Sequence, residues 1–308
     1  MLAFSTNWNA SKHTEGEAIV AEILELGFTK LEIGHGLSVA QLQGIRKAHE
    51  GGGFEVVSVH NFCPMPVEIQ VDNPDCYEFT SKVASQRDRA IRLTKQTMET
   101  AREFGARHIV LHLGRVTPLR GITHGLMESL LSDGVASKKH ARAKLDAVRR
   151  RESFSHAYLE RIQTLLEPLV ELAEQADLIL VAENRSDYEA FPTEREMLQL
   201  LRHFATPHFR YWHDFGHAQM RESLGLLDHA QWLKEIAPFV AGAHLQDARW
   251  PDEDHLVPFE GEVPFDRLVP LFPPGIPFVL ELSRNATPES IRRCVDRWHE
   301  LLAQQTVL

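Results

Sequence analysis

The chain has 308 residues, 43% hydrophobic and 25% charged, a balance that excludes a disordered, collagenous or low-complexity protein, and no apolar run approaches the ~18 residues of a membrane span. Lys plus Arg number 33 against 43 Asp plus Glu, a formal charge of −10, which argues against broad attraction to nucleic acid without excluding a local basic patch. The three cysteines, Cys63, Cys76 and Cys294, never form a CxxC pair, so neither a disulfide framework nor a thiolate zinc site is expected, and the chain reads as a cytoplasmic protein.

In chain order, Met1 to Asn9 has neither a basic nor a long apolar segment, so no signal peptide is expected. Short apolar runs then recur at Leu2 to Ser5, Lys30 to Gly34, Phe54 to His60, Ala106 to His112, Leu178 to Glu183, Phe209 to Asp214, Val240 to His244 and Pro277 to Glu281. Each suits a strand buried on both faces. Helical patterns separate them. Thr14-Glu-Gly-Glu17 predicts a capping box for the first helix, with Gly27 as its stop. The last helix is predicted to start with Thr287 as cap and Pro288 at its first position.

Eight strand–helix repeats predict a single (β/α)8 TIM barrel over residues 1–308. The rival, a doubly wound open sheet, is disfavoured because no Gly-rich phosphate turn is present. The surplus length predicts an enlarged helical insertion between strands 4 and 5, at 115–156. Within it, Lys138 to Arg151 carries seven basic residues and one acidic. That stretch reads either as a solvated helix or as a lid that meets a phosphate or another anion.

Six of the eight runs end on a metal-ligand residue type: His60, His112, Glu183, Asp214, His244 and Glu281. Strand ends in a barrel converge on one mouth, and several carboxylates buried together demand a cation. Glu183, Asp214, His244 and Glu281 form the most economical site, a mostly hard ligand set suited to Mn, Mg or Co and tolerant of Zn. His217, in Asp214-Phe-Gly-His217, and His255, in Asp252-Glu-Asp-His255, are further candidates. Asp247 is a candidate to orient a ligating histidine. Trp8, Asn9 and His13 follow the first strand and could wall a pocket. Tyr211 and Trp212 read as packing, and Cys63 is too isolated to be a nucleophile.

These motifs carry a family resemblance. Ser58-Val-His60, Val110-Leu-His-Leu-Gly114, Val181-Ala-Glu-Asn184, His213-Asp-Phe-Gly-His217, Ala243-His-Leu-Gln-Asp247 and Val279-Leu-Glu281 resemble, in order, the xylose isomerase-like TIM-barrel superfamily. That superfamily holds sugar isomerases and epimerases, inositol-pathway enzymes and endonuclease IV. Resemblance to its ketose 3-epimerases implies one divalent metal on Glu183, Asp214, His244 and Glu281, with Glu183 and Glu281 exchanging the proton of a carbon beside the carbonyl. It implies a substrate hydrogen bond from His217 and a supporting carboxylate at Glu189; His60, His112 and Trp8 are further candidates for substrate binding. Arg249 stands one residue away from the position of a substrate arginine.

Resemblance to endonuclease IV implies instead that His60, His112, His217 and His255 join the four to hold up to three zinc ions. Glu253 stands where that family has an aspartate. Three readings follow: a metal-dependent sugar or sugar phosphate isomerase or epimerase, a zinc phosphodiesterase acting on nucleic acid, and a non-catalytic sugar-binding barrel. The first is favoured, with a small sugar as partner, no nucleic acid and no membrane expected; a homo-oligomer is left open.

Overall fold

In the computed structural model, which describes residues 1–305, the eight expected strands close into one parallel barrel. They are β1 (Leu2–Ser5), β2 (Lys30–Ile33), β3 (Glu55–His60), β4 (His108–Leu111), β5 (Ile179–Glu183), β6 (Phe209–Asp214), β7 (Val240–Leu245) and, after a small hairpin, β10 (Phe278–Leu280). Closure is made by β1 and β10, with Leu2 level with Phe278. The inside is filled rather than open, because Ala3, Val110, Val181, Trp212 and Val279 meet there with no exposed surface. Trp212 is thus packing, as its strand position suggested. Gly242 on β7 is the space it needs, since a Cβ there would run into the indole ring.

The helices outside are α1 (Gly16–Glu25), α2 (Val39–Glu50), α3 (Ala84–Glu103), α4 (Ile122–Asp133), α5 (Lys138–Gln175), α6 (Glu194–Phe204), α7 (Phe215–Ser223), α8 (His229–Ile236), α9 (Phe265–Leu268) and α10 (Pro288–Gln305). The last begins as predicted, with the Ser290 N–H donating to Thr287 Oγ1 at 3.2 Å. The box predicted for α1 does not form. Its cap is Glu15, which makes no side-chain bond, and Glu17 reaches across to Lys47 on α2 instead. Gly27 follows at φ +91°, the left-handed stop expected of it. No helix among the described residues is long and apolar enough to cross a membrane.

Helices α4 and α5 form the enlarged connection between β4 and β5. Lys138, Lys139, Arg142, Arg149 and Arg150 are exposed, as a solvated helix requires. Arg151 departs from that reading. It is buried, ion-paired to Glu196 at 2.5 Å, and donates to the carbonyls of Tyr188 and Glu189. One basic residue of the run therefore anchors the helix to the loop after β5. A hairpin of β8 (Asp247–Arg249) and β9 (Glu253–Leu256) follows β7 and folds onto α7.

Candidate metal centre

The carboxyl ends of β5, β6, β7 and β10 bring Glu183, Asp214, His244 and Glu281 together. One ligand atom from each lies within 4.8 Å of the others, and all four residues are buried. His244 Nδ1 is 3.3 Å from Glu183 Oε1, 3.1 Å from Glu281 Oε2 and 4.0 Å from Asp214 Oδ2. Its other nitrogen is already committed, because Nε2 donates to the buried Glu32 carboxylate at 3.1 Å. In the neutral ring Nδ1 is then a lone-pair nitrogen aimed at three carboxylates. Glu183 Oε1 and His244 Nδ1 are both buried without a hydrogen-bond partner among the described residues. A cluster of acceptors with no donor between them is costly unless a cation joins it.

The remaining ligands are fixed by outer bonds. Asp214 caps α7 by accepting the His217 N–H at 2.7 Å, and Gln246 Nε2 donates to it at 3.0 Å. Glu281 Oε1 accepts from Asn7 Nδ2 at 2.7 Å. Asn184 clamps β5 to β6 through the Asp214 N–H and carbonyl, and Tyr211 donates its hydroxyl to Asn184 at 2.8 Å. Tyr211 is therefore more than packing. Such outer partners hold metal ligands in one orientation and one tautomer.

Two further groups adjoin this centre. His60, His112 and Glu183 form one, again within 4.8 Å and buried. His60 Nδ1 donates to the Asn61 carbonyl at 3.0 Å, leaving Nε2 facing Glu183 Oε2 at 3.5 Å. His112 Nδ1 is 3.0 Å from Asp75 Oδ1, and its Nε2 is 2.9 Å from Glu183 Oε2. Arg185 also reaches that nitrogen, with Nη1 at 2.7 Å. The other group is His217, Asp254 and His255. His217 Nδ1 donates to the Asn184 carbonyl at 3.0 Å, and its ring centre lies 5.8 Å from that of His255.

The electrostatics agree with a cation-seeking centre. Burial alone would keep His244 neutral, yet Glu281, Glu32 and Glu183 outweigh it and hold its pKa well above the usual imidazole range. His217 is likewise raised against its burial, chiefly by Asp214. Burial pushes Glu183 upward, but His244 and His112 pull it well below the ordinary carboxylate value. Asp214 is shifted upward, mainly by burial. A proton on these imidazoles and a metal ion among the carboxylates are alternative ways of balancing the same charge.

Several expected roles change. Asp254, not Glu253, joins His217 and His255; Glu253 points to solvent and pairs with Arg249 at 2.6 Å. That ion pair also occupies Arg249, the expected substrate arginine, on an exposed hairpin. Asp247 orients no histidine. It accepts the backbone N–H groups of Ala248, Gly261 and Val263 and so shapes the loop after the hairpin. Glu189 directs its carboxylate to the Gly121 and Thr123 N–H groups and the Thr123 hydroxyl at the start of α4. Trp8 is fully buried and donates to the Ala286 carbonyl, so it supports the mouth from behind. Burial pushes the Cys63 thiol up to about 12, consistent with an inert side chain.

The residues that sequence reasoning missed are Glu32, Asn7, Asp75, Asn184, Arg185 and Gln246. Glu32 left a signal as an acidic residue one step from the end of an apolar strand, and Asn184 and Gln246 lie inside the motifs that carry the resemblance. The others act from loops and helix starts whose folding back is not visible in a local pattern.

Beside Glu281 the mouth opens into a cavity of about 680 Å³ lined by Asn7, His13, His35, Asp72, His255 and Arg284, among others. His35 is fixed there by Asp72 at 2.7 Å. A sequence profile described as "Xylose isomerase-like TIM barrel" matches residues 20–294. No curated protein sequence matches the chain. Among solved structures, a D-tagatose 3-epimerase-like protein superposes with a TM-score of 0.70 at 15% identity, covering 100% of this chain and 99% of the other. A 3-keto-D-glucoside 4-epimerase from E. coli gives 0.67 at 14% identity over 97% and 98% of the two chains. A D-psicose 3-epimerase from Clostridium cellulolyticum H10 gives 0.66 at 12% identity over 98% and 99%. At these identities the superpositions establish a shared barrel, and the profile match over most of the sequence places the chain in the xylose isomerase-like TIM barrel family.

Proposed function

We propose that the protein is a divalent-metal-dependent isomerase or epimerase of a small polyhydroxylated carbonyl compound. The observation that carries this reading is the buried convergence of Glu183, Asp214, His244 and Glu281, with Glu183 Oε1 and His244 Nδ1 lacking any protein donor. The ligand set is mostly oxygen, which suits Mn, Mg or Co and accepts Zn. When bound, such an ion acidifies the carbon next to a chelated carbonyl. Glu183 and Glu281 are then the two bases placed to take a proton from that carbon and return it. Asn7 holds Glu281 in position, and Glu32 holds His244. The cavity beside Glu281 is of a size that small-molecule sites have. The barrel shared with structures titled as sugar epimerases supports the same reading.

The test is exchange of a carbon-bound hydrogen with deuterated water across a panel of ketoses, with and without phosphate, after loading with Mn, Co or Mg. Exchange that disappears in Glu183→Gln and in Glu281→Gln is expected. Retained sugar binding with no exchange on any ketose would replace the enzyme by a sugar-binding barrel.

A second reading has its own observation. The groups His60–His112–Glu183 and His217–Asp254–His255 flank the centre on two sides, an arrangement able to carry several zinc ions and activate a water against a phosphodiester. Three tightly held zinc ions per chain, together with cleavage of an abasic oligonucleotide, would establish it.

A further inference from the structure

We propose that Arg185 is the resident cation of the His60–His112–Glu183 corner and closes that corner to a second metal ion. The inference rests on the single-metal reading above and concerns ion count rather than substrate. Arg185 Nη1 lies 2.7 Å from His112 Nε2 and 4.0 Å from Glu183 Oε1, and Nη2 lies 3.6 Å from Asp75 Oδ2. A guanidinium has only N–H groups to offer and stays charged, so the nitrogen it meets must present a lone pair. Asp75 fixes which nitrogen that is, because it sits 3.0 Å from the opposite ring nitrogen and accepts the Nδ1–H hydrogen bond.

His112 Nε2 has one lone pair. Arg185 Nη1 at 2.7 Å and Glu183 Oε2 at 2.9 Å already crowd it, and it can accept from Arg185 or bind a metal, but not both. A zinc ion would stand about 2.0–2.1 Å from that nitrogen, so it would have to displace the arginine. Displacement is resisted on two sides. Asp75 would lose a guanidinium partner, and the backbone beneath Arg185 is held by Asn184, which is bonded to both Asp214 and Tyr211. The guanidinium also lies 4.0 Å from Glu183 Oε1 and so adds fixed positive charge beside that carboxylate. A fixed guanidinium is no Lewis acid and cannot activate water, which separates this centre chemically from a clustered-zinc hydrolase.

The test is metal content by elemental analysis after saturation with Zn²⁺ or Co²⁺ and removal of loosely bound ion. The proteins are the wild type, His112→Gln, Arg185→Met, Arg185→Lys and Arg185→Met/His112→Gln. The wild type and His112→Gln should hold the same number of ions. Arg185→Met should hold one more per chain, lost again in the double variant, while Arg185→Lys stays at the wild-type number. A wild-type ion that disappears on His112→Gln overturns the proposal, as does an Arg185→Met protein with no extra ion. If Arg185→Met does not fold, the comparison of the wild type, His112→Gln and Arg185→Lys still decides. These counts are independent of turnover, so a protein inactive on every ketose would refute the proposed reaction while leaving the role of Arg185 standing.

Discussion

The sharpest test of the metal centre is a residue that no metal ion would touch. Glu32 is fully buried on β2, accepting from Ser58 Oγ at 2.7 Å and from His244 Nε2 at 3.1 Å. Glu32→Gln keeps the shape and an acceptor oxygen but removes the charge. Charge-assisted hydrogen bonds contribute roughly 1.5–3 kcal/mol and neutral ones about 0.5–1.5 kcal/mol. The difference, about 1–1.5 kcal/mol, corresponds to a five- to tenfold weaker hold on the ion if His244 binds it. Glu32→Leu removes both partners and should weaken binding by roughly 10–100-fold, the usual range for lost outer partners. Competition with a chelating indicator at fixed pH and ionic strength reads both variants, and thermal unfolding of the metal-free proteins separates affinity from folding. Binding by Glu32→Gln and Glu32→Leu within twofold of the wild type would refute the idea that His244 is oriented through Nε2.

Other outcomes follow from buried groups away from the centre. Burial holds the Cys63 and Cys294 thiols up to about 12 and Cys76 up to about 11; native protein at pH 8 should therefore show no rapid phase with a disulfide-exchange reagent, and a fast-reacting Cys63 would contradict its placement. Burial also pushes His229 down to about 3, beside His213 at 2.9 Å. The unfolded chain, with His near 6.5, takes the proton first, so stability is lost as pH falls from about 6.5 toward 3. His229 alone should cost about 2 kcal/mol between pH 7 and pH 5. Urea unfolding at the two pH values should show that share missing in His229→Gln, and an unchanged pH dependence would count against it. Arg151→Met leaves Glu196 buried and unpaired and should lower the unfolding free energy by about 3–5 kcal/mol; a loss below 1 kcal/mol would mean that water reaches Glu196.

The barrel was legible in the sequence because each strand is a short apolar run buried on both faces, a pattern local enough to see. Six strand ends with ligand chemistry were legible for the same reason, since parallel strands must bring those ends to one mouth. Less legible were the groups that reach the mouth from elsewhere. The Glu253–Asp254 choice depended on a hairpin bulge, because β9 alternates its side chains and the register between Asp247 and Arg249 shifts. Asp247 looked like an orienting carboxylate from its place after His244, but it faces the backbone of the loop it closes. The capping box at Thr14 failed because α1 starts one residue later, with Glu15 as cap, which leaves Glu17 at the second rather than the third helical position. Glu32 is hard to single out because it lies inside its apolar run, Lys30 to Gly34, rather than at its end.

The outer partners also make the two proposed bases unequal. Glu281 accepts a neutral amide from Asn7, which favours its charged form without adding charge. Glu183 has no such donor; its neighbours are His60, His112, His217, His244 and Arg185, all able to carry positive charge. The basicity of both therefore follows the state of the centre, since His244 also lies 3.1 Å from Glu281 and lowers its pKa, but Glu183 answers to more neighbours able to carry charge. A pair of carboxylates whose environments separate them in this way can serve as acid and base in one turnover, one giving a proton while the other takes one. Asn7 on one side with Arg185 on the other is what distinguishes the two carboxylates here.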